Sequence, residues 1–393
     1  MSKEVMFTYW GRRGALSDFA LNVGREVVSH YPATISVSCF NEIFDEFRMF
    51  NESLFSVTAF DSSIGALTSW RNLLRLRRDC LDRFVSDRTR VVISLLPHVW
   101  FPVVMPIMKK MGIKHIAVIH EANHHPGDLS GLITTPLFLR QARAADHVVT
   151  LSRFVQNQLV SNSIVPRDKI TTLLHPDLTF RNVPSPWRPN GPLRILFFGR
   201  LMRYKRLDVF LDSIELLRAR GAPVEAGVLG SGNIRMHARR LERLGVHVEN
   251  RWLDSEELGA KLNDYDVLAI CHSEASQSGA VAAAFGAGMP VVAFNVGGIP
   301  EQVTDEVTGL IVQKQTASDF ADAVMRLVNS PELLRKLKSG VRSSMPTRSM
   351  RLFVDGLWQI AEAQMLQSSD EPAAIRDRDT GGSPSVNCCN GMV

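Results

Sequence analysis

Residues 193–214 read LRILFFGRLMRYKRLDVFLDSI. The run Leu193–Phe198 is short and apolar apart from Arg194, and it stops at Gly199. Two cations, Arg200 and Lys205, follow before Leu207, Phe210, Leu211, Ile214 and Leu217 mark one face of a helix. A short, evenly apolar run followed by a helical period is the mark of a strand buried on both faces and its crossover helix. Burying charge is costly, so cations at the mouth of such a strand need an explanation.

The same unit recurs along the chain. VMFTY (5–9), ISVSCF (35–40), VVISLL (91–96), HIAVIH (115–120), HVVTLS (147–152) and ITTLLH (170–175) are the strand candidates of the first half. VEAGVLG (224–230), DVLAIC (266–271), PVVAF (290–294) and GLIV (309–312) continue the series after LRILFFG (193–199). Strands alternating with helices predict parallel, doubly wound sheets joined by right-handed crossovers, an α/β class. At 393 residues the chain is long for one core, which predicts two domains. The proline-rich VPSPWRPNGP, 183–192, can continue neither a helix nor a central strand and is expected to link them.

The predicted layout is a Rossmann-like domain over 1–182, the linker 183–192, and a second Rossmann-like domain over 193–345. The apolar MRLFVDGLWQIAEAQML supplies a closing helix within 346–366, and the polar 367–393 is expected to be disordered. Ligands of such sheets bind outside the carboxyl ends of the strands, in the cleft that the two sheets face.

Composition excludes several classes. A 45% apolar, 22% charged chain with net charge +5 is globular, and its mild basicity does not indicate a nucleic-acid protein. No apolar run reaches the ~20 residues of a membrane span, and the first residues lack a signal-peptide pattern, so a cytoplasmic location is expected. The five cysteines form no CxxC pair and have no histidine at metal spacing; Cys39, Cys80 and Cys271 read as buried free thiols.

Arg200 and Lys205 fall at the expected cleft, where two cations and helix-terminal amides can hold a diphosphate. A solvated turn covering a helix start is the alternative. A second feature favours the anion site. In HSEASQSGAVAAAFGAG (272–288) small polar residues and Gly279 lead into an Ala-rich helix, and such an N-terminus presents free N–H groups. Close αβ packing accounts for the alanines but poorly for Glu274 and Gln277.

These segments, with GVLGSGN (227–233), LNDYDVLAI and AFGAGMPVVAFNVGGIPEQVTDEVTGLIV, resemble the C-terminal half of retaining glycosyltransferases of family 4. The likeness runs from about Arg194 to about Val328, and YWGRRGALSDFA (9–20) and VIHEANHHPGD (118–128) extend it into the first half. The resemblance implies a GT-B fold, with the acceptor bound mainly by the N-terminal domain and a nucleotide-sugar donor by the C-terminal one. It implies that Arg200 and Lys205 grip the donor diphosphate and that the Gly279 and Ala280 amides meet its phosphates. Glu274 would contact donor-sugar hydroxyls, and His120 would face the sugar from the other domain. Gly14, Gly230, Ser276, Gln277 and Ser278 complete the implied donor-binding set. The family shows two glutamates eight apart; counted back from Pro290, their places hold Ala275 and Ala283.

The implied activity is transfer of a hexose-type sugar, with retention, from a UDP- or GDP-sugar to a glycan or lipid-linked acceptor, in cell-surface polysaccharide assembly. A non-catalytic sugar-nucleotide-binding protein and a sugar-nucleotide epimerase are the competing readings. No metal is expected, because Asp264/Asp266 and Asp377/Asp379 are poorly placed and fixed cations can replace a metal's electrostatic role. Finally, SWRNLLRLRRDCLDRF (69–84) is a basic amphipathic segment. It fits either an ordinary helix packed on its sheet or peripheral contact with the inner face of a membrane.

Overall fold

The computed structural model describes residues 3–12, 14–60, 65–123, 131–180 and 191–369. Expectations for most of the linker, for residues 124–128, for Asp377/Asp379, for Cys388 and Cys389 and for the tail from 370 lie outside them.

Among the described residues thirteen strands form two sheets, every strand pairing parallel. The first contains β1 (Val5–Tyr9), β2 (Ala33–Ser38), β3 (Leu54–Val57), β4 (Val91–Ser94), β5 (Lys114–Ile119), β6 (His147–Thr150) and β7 (Ile170–Thr172). The second contains β8 (Leu193–Phe198), β9 (Val224–Leu229), β10 (His247–Glu249), β11 (Val267–Ile270), β12 (Val291–Phe294) and β13 (Gly309–Val312). Their spatial orders are β3-β2-β1-β4-β5-β6-β7 and β10-β9-β8-β11-β12-β13. In each sheet the order reverses beside the first strand, at the β1/β4 and β8/β11 junctions. Such a reversal opens a crevice at the carboxyl ends of the strands.

The strand candidates of the sequence all appear, most ending a residue or two early. β3 and β10 were missed. β3 is largely half-exposed and β10 reads HVE with an exposed first residue, so neither shows the continuous apolar run of a buried strand. Because β2 stops at Ser38, Cys39 is exposed, against the expectation of a buried thiol; Cys80 and Cys271 are buried. Helix Leu207–Ala219 buries Leu207, Phe210, Leu211, Ile214 and Leu217 as its period predicts.

The last helix runs Met350–Ser369, past the predicted end at 366. It packs on the first domain: Met350, Phe353, Val354, Leu357 and Ala361 join the core built by β1, β4 and helix Ala15–His30. Tyr31 stacks on Trp358 at 4.3 Å, and its hydroxyl donates to Asp355 at 2.6 Å. The closing helix therefore belongs to the N-terminal domain.

Candidate functional site

Where β8 and β9 end, two glycines bring the backbones together. Gly199 (φ 112°) and Gly230 (φ 126°) occupy a region that disfavours side chains. A Cβ on Gly230 would lie 2.1 Å from the Gly199 carbonyl oxygen, and a Cβ on Gly199 would lie 2.4 Å from Lys205 Nζ. The missing side chains leave room for the short 3₁₀ turn Arg203–Lys205 to fold back over the strand ends.

That turn buries Lys205 to 7% exposure, with its Nζ 3.4 Å from the Phe198 carbonyl. Among the described residues no carboxylate lies within ion-pair range of Lys205. Burial, and then the neighbouring Arg200 guanidinium, pull its pKa down to about 7. Arg200 itself is exposed at the rim. A buried ammonium with one long contact is held at a cost that an incoming anion would offset. Tyr204, between them in sequence, packs its ring edge-on against His272 at 5.4 Å. Its hydroxyl is pushed up to about 12, mainly by burial; Arg200 opposes this, while Glu121 and Glu274 add to it. Glu121 comes from the first domain and Glu274 from the second, so charges of both domains act on this hydroxyl. Tyr204 and Glu121 were not picked out from sequence, although each adjoins a residue that was.

The loop after β11 is braced from below. Gly298 N–H donates to the Ala275 carbonyl at 2.9 Å, and Gln302 Oε1 accepts from Ser278 N–H at 2.7 Å. A Cβ on Gly297 would fall 1.7 Å from the Ala275 carbonyl oxygen. Ser278 is the N-cap of helix Gly279–Gly286, accepting from Val281 N–H, and the position above Gly279 is open. Ala280 is buried in the first turn. Gln277 Oε1 is buried and makes no protein hydrogen bond. Ser276 is buried in the same loop, and its carbonyl accepts from Ser152 Oγ of the first domain at 2.7 Å. Nearby, Glu301 accepts from the Arg153 and Phe154 amides at 2.6 and 2.7 Å, capping helix Arg153–Ser161 of the first domain. Ser152 and Glu301 are thus interdomain ties that periodicity could not expose. The Leu178 N–H bond to the Ala282 carbonyl (3.1 Å) adds to them, as does Arg348, which pairs with Asp177 (3.0 Å) and lies 4.2 Å from the ring centroid of Phe285 in the second domain.

In the first domain, His120 directly follows the last residue of β5, the carboxyl end where the sequence placed it. It is buried; Nε2 contacts the Leu95 carbonyl at 2.8 Å, which marks it as the donor nitrogen, and Nδ1 has no protein partner. Burial lowers its pKa, against smaller opposing effects of that carbonyl and Glu121. Phe19 packs edge-on against the ring at 5.5 Å. Gly14, with φ 96°, precedes helix Ala15–His30, but its N–H already donates to Glu42 Oε1 at 2.6 Å. Asp18 in that helix has a carboxyl raised to about 6, first by burial and then by Glu46, Glu42 and, from the second domain, Asp254.

The carboxylate pattern of the second domain also becomes clear. Ala275 and Ala283 are both buried, at 3% and 0% exposure, so the two family glutamate positions carry no charge. Glu274 is half-buried beside Tyr204. Asp266 is locked by Arg194 (3.0 Å) and Lys338 (3.0 Å), which fixes it as a structural anchor of β11.

Residues 192–330 match the family described as Glycosyl transferases group 1. A D-inositol 3-phosphate glycosyltransferase of Saccharomonospora viridis is 31% identical over 190 residues, 45% of this chain and 44% of that protein. The chain spans less than half the length of that relative. Among solved structures, Anabaena HepE in complex with UDP-glucose has a TM-score of 0.72 at 13% identity, covering 92% of this chain and 100% of that one. Sucrose-phosphate synthase from Thermosynechococcus elongatus has a TM-score of 0.69 at 14% identity, covering 93% and 100%. The fold is that of the GT-B glycosyltransferases.

Proposed function

From the match of residues 192–330 to the glycosyl transferases group 1 family and from the GT-B scaffold, we propose that this protein transfers a sugar from a nucleoside-diphosphate donor. The reading rests above all on Lys205, a buried ammonium without a carboxylate partner among the described residues. The donor diphosphate lies across Gly199 and Gly230, with Lys205 and Arg200 on its oxygens and the open Gly279 amide turn beside it. As the bond from the anomeric carbon to the diphosphate breaks, charge builds on the departing oxygens. Cations fixed before the reaction stabilise that charge most effectively.

The acceptor enters from the first domain, past His120 and Glu121. Its hydroxyl attacks on the face the diphosphate leaves and passes its proton to the departing phosphate, which retains the anomeric configuration. No metal is required, since Lys205 and Arg200 supply the positive charge. Uridine is the favoured base, supported by the UDP-sugar bound to the HepE fold relative. The acceptor is a glycan or a lipid-linked sugar, used in building a cell-surface polysaccharide.

Ala275 and Ala283 favour a second reading, a GT-B protein that binds the donor without turning it over. Release of nucleoside diphosphate from a UDP- or GDP-sugar, measured with and without an acceptor panel, separates them. Release that needs acceptor supports transfer. Donor binding without release supports the second reading, and release without acceptor points to hydrolysis.

A further inference from the structure

Helix Trp70–Asp87 has two apolar stripes, and among the described residues only one is buried in a core. Leu76, Cys80 and Phe84 are fully buried in a core with Met6, Val57, Val92 and Phe101. The other stripe is Trp70, Leu74, Leu81 and Val85, exposed at 61%, 55%, 39% and 62%. At 100° per residue these four lie within an arc of about 60°. Arg78, Arg71 and Arg75, all exposed, flank the stripe on one side and Arg77 on the other. The Arg71 guanidinium lies 5.6 Å from the Trp70 ring centroid. The acidic residues on this side are Asp79, which pairs with Arg75 and Arg78, and the exposed Asp82.

We infer that this face docks on an anionic lipid bilayer. Trp and leucine side chains sink into the boundary between headgroups and acyl chains, and the arginines meet lipid phosphates. A second copy of the chain is a poorer occupant, because a self-complementary contact would set four arginines against four more. The helix starts at the right place for membrane chemistry. The chain leaves β3 at the carboxyl edge of the sheet and enters the helix at Trp70, and Asn72 Nδ2 donates to the Ala59 carbonyl at 3.4 Å. Phe60, next to Ala59, stacks on His98 at 5.2 Å on the same edge that carries His120. The bilayer-facing stripe therefore leads toward the first domain's side of the cleft. That a lipid carries the acceptor rests on the transferase reading; adsorption to the bilayer does not.

Vesicle flotation without any donor tests the surface directly. The full chain is expected to float with vesicles of phosphatidylglycerol in phosphatidylcholine and to remain below with phosphatidylcholine alone. Arg71→Gln/Arg75→Gln/Arg78→Gln should lower partitioning on the order of a hundredfold. Leu74→Ser/Val85→Ser should lower it about tenfold or more. All five side chains are exposed, so both variants should keep the parent melting temperature and bind nucleoside diphosphate as the parent does. Equal flotation of the parent with both vesicles, or no loss in either variant, would overturn the proposal. A dimer in sedimentation that Leu74→Ser/Val85→Ser dissolves would reassign the stripe to a second copy. Failure of donor turnover with normal flotation would count against the transferase reading alone.

Discussion

The two sides of the cleft are built differently. On the second domain's rim, groups that could take a ligand are held ready: Lys205 buried with a single 3.4 Å contact, the Gly279 turn open, Gln277 Oε1 unpartnered in the protein. On the first domain's rim the polar groups are more fully engaged. Gly14 N–H is taken by Glu42, His120 Nε2 by Leu95, and Ser152 by both its helix and Ser276. A fixed anion can be met by fixed cations and amides. The acceptor of the proposed transfer would instead be met by side chains of the first domain. In the transfer proposed above, preorganisation is thus concentrated on the half of the reaction where charge develops.

Removing that preorganisation should have the largest effect. Lys205→Ala is expected to lower turnover by about 10²-fold or more, as loss of an oxyanion contact does, while unfolding temperature holds or rises because a buried charge is gone. Activity within threefold of the parent would show that the two rims do not differ in the way described. Next comes the glycine floor. Gly230→Ala puts a Cβ 2.1 Å from the Gly199 carbonyl at φ 126° and should cost about 1–3 kcal/mol, read by chemical denaturation. A matching Gly14→Ala also has positive φ but open space, so its cost should be smaller. Equal costs would mean that backbone conformation alone, and not the close approach of β8 and β9, accounts for Gly230.

The pH dependence of donor binding follows from Lys205. Its folded pKa of about 7 lies below the lysine value of 10.5, so between those limits the unfolded chain holds a proton that the folded chain has released. Free of ligand, this group makes stability rise with pH across the window from about 7 to 10.5. A bound diphosphate favours the ammonium and reverses the preference. Nucleoside-diphosphate affinity should therefore fall above pH 7, by up to about tenfold per unit, with proton uptake seen as a buffer-dependent heat in calorimetry. Lys205→Met should flatten that slope. The smallest effect is expected at the tie between the rims. Glu301→Ala removes a cap from helix Arg153–Ser161 and should cost about 1 kcal/mol, with a larger radius of gyration in small-angle scattering. An unchanged radius would mean that Ser152, Asp177 and Leu178 hold the domains together without it.

Much of the fold was legible because buried parallel strands advertise themselves. LRILFF and VVAF admit few other readings once a helical period follows. The edge strands LFSV and HVE did not, since an edge needs less apolar surface than a centre. Within the site, Gly199, Gly230 and the two cations could be found from their place after apolar runs. The burial of Lys205 could not, because it depends on a turn folding back across two strand ends that are 31 residues apart in the chain. Glu301 and Ser152, separated by 148 and 124 residues from their partners, carry no local pattern. Contacts between domains are set by docking, which one-dimensional periodicity does not encode.

The return of helix Met350–Ser369 to the first domain has a consequence for biogenesis. Phe353, Val354 and Leu357 complete the wall beside β4 and β5, so the first sheet lacks one flank until a helix made after the whole second domain leaves the ribosome. The C-terminal domain has all its strands in one uninterrupted stretch and can mature first, reversing the usual N-to-C order. Ribosome-bound chains stalled before residue 350 should accordingly protect the second sheet from protease while the first is still cut.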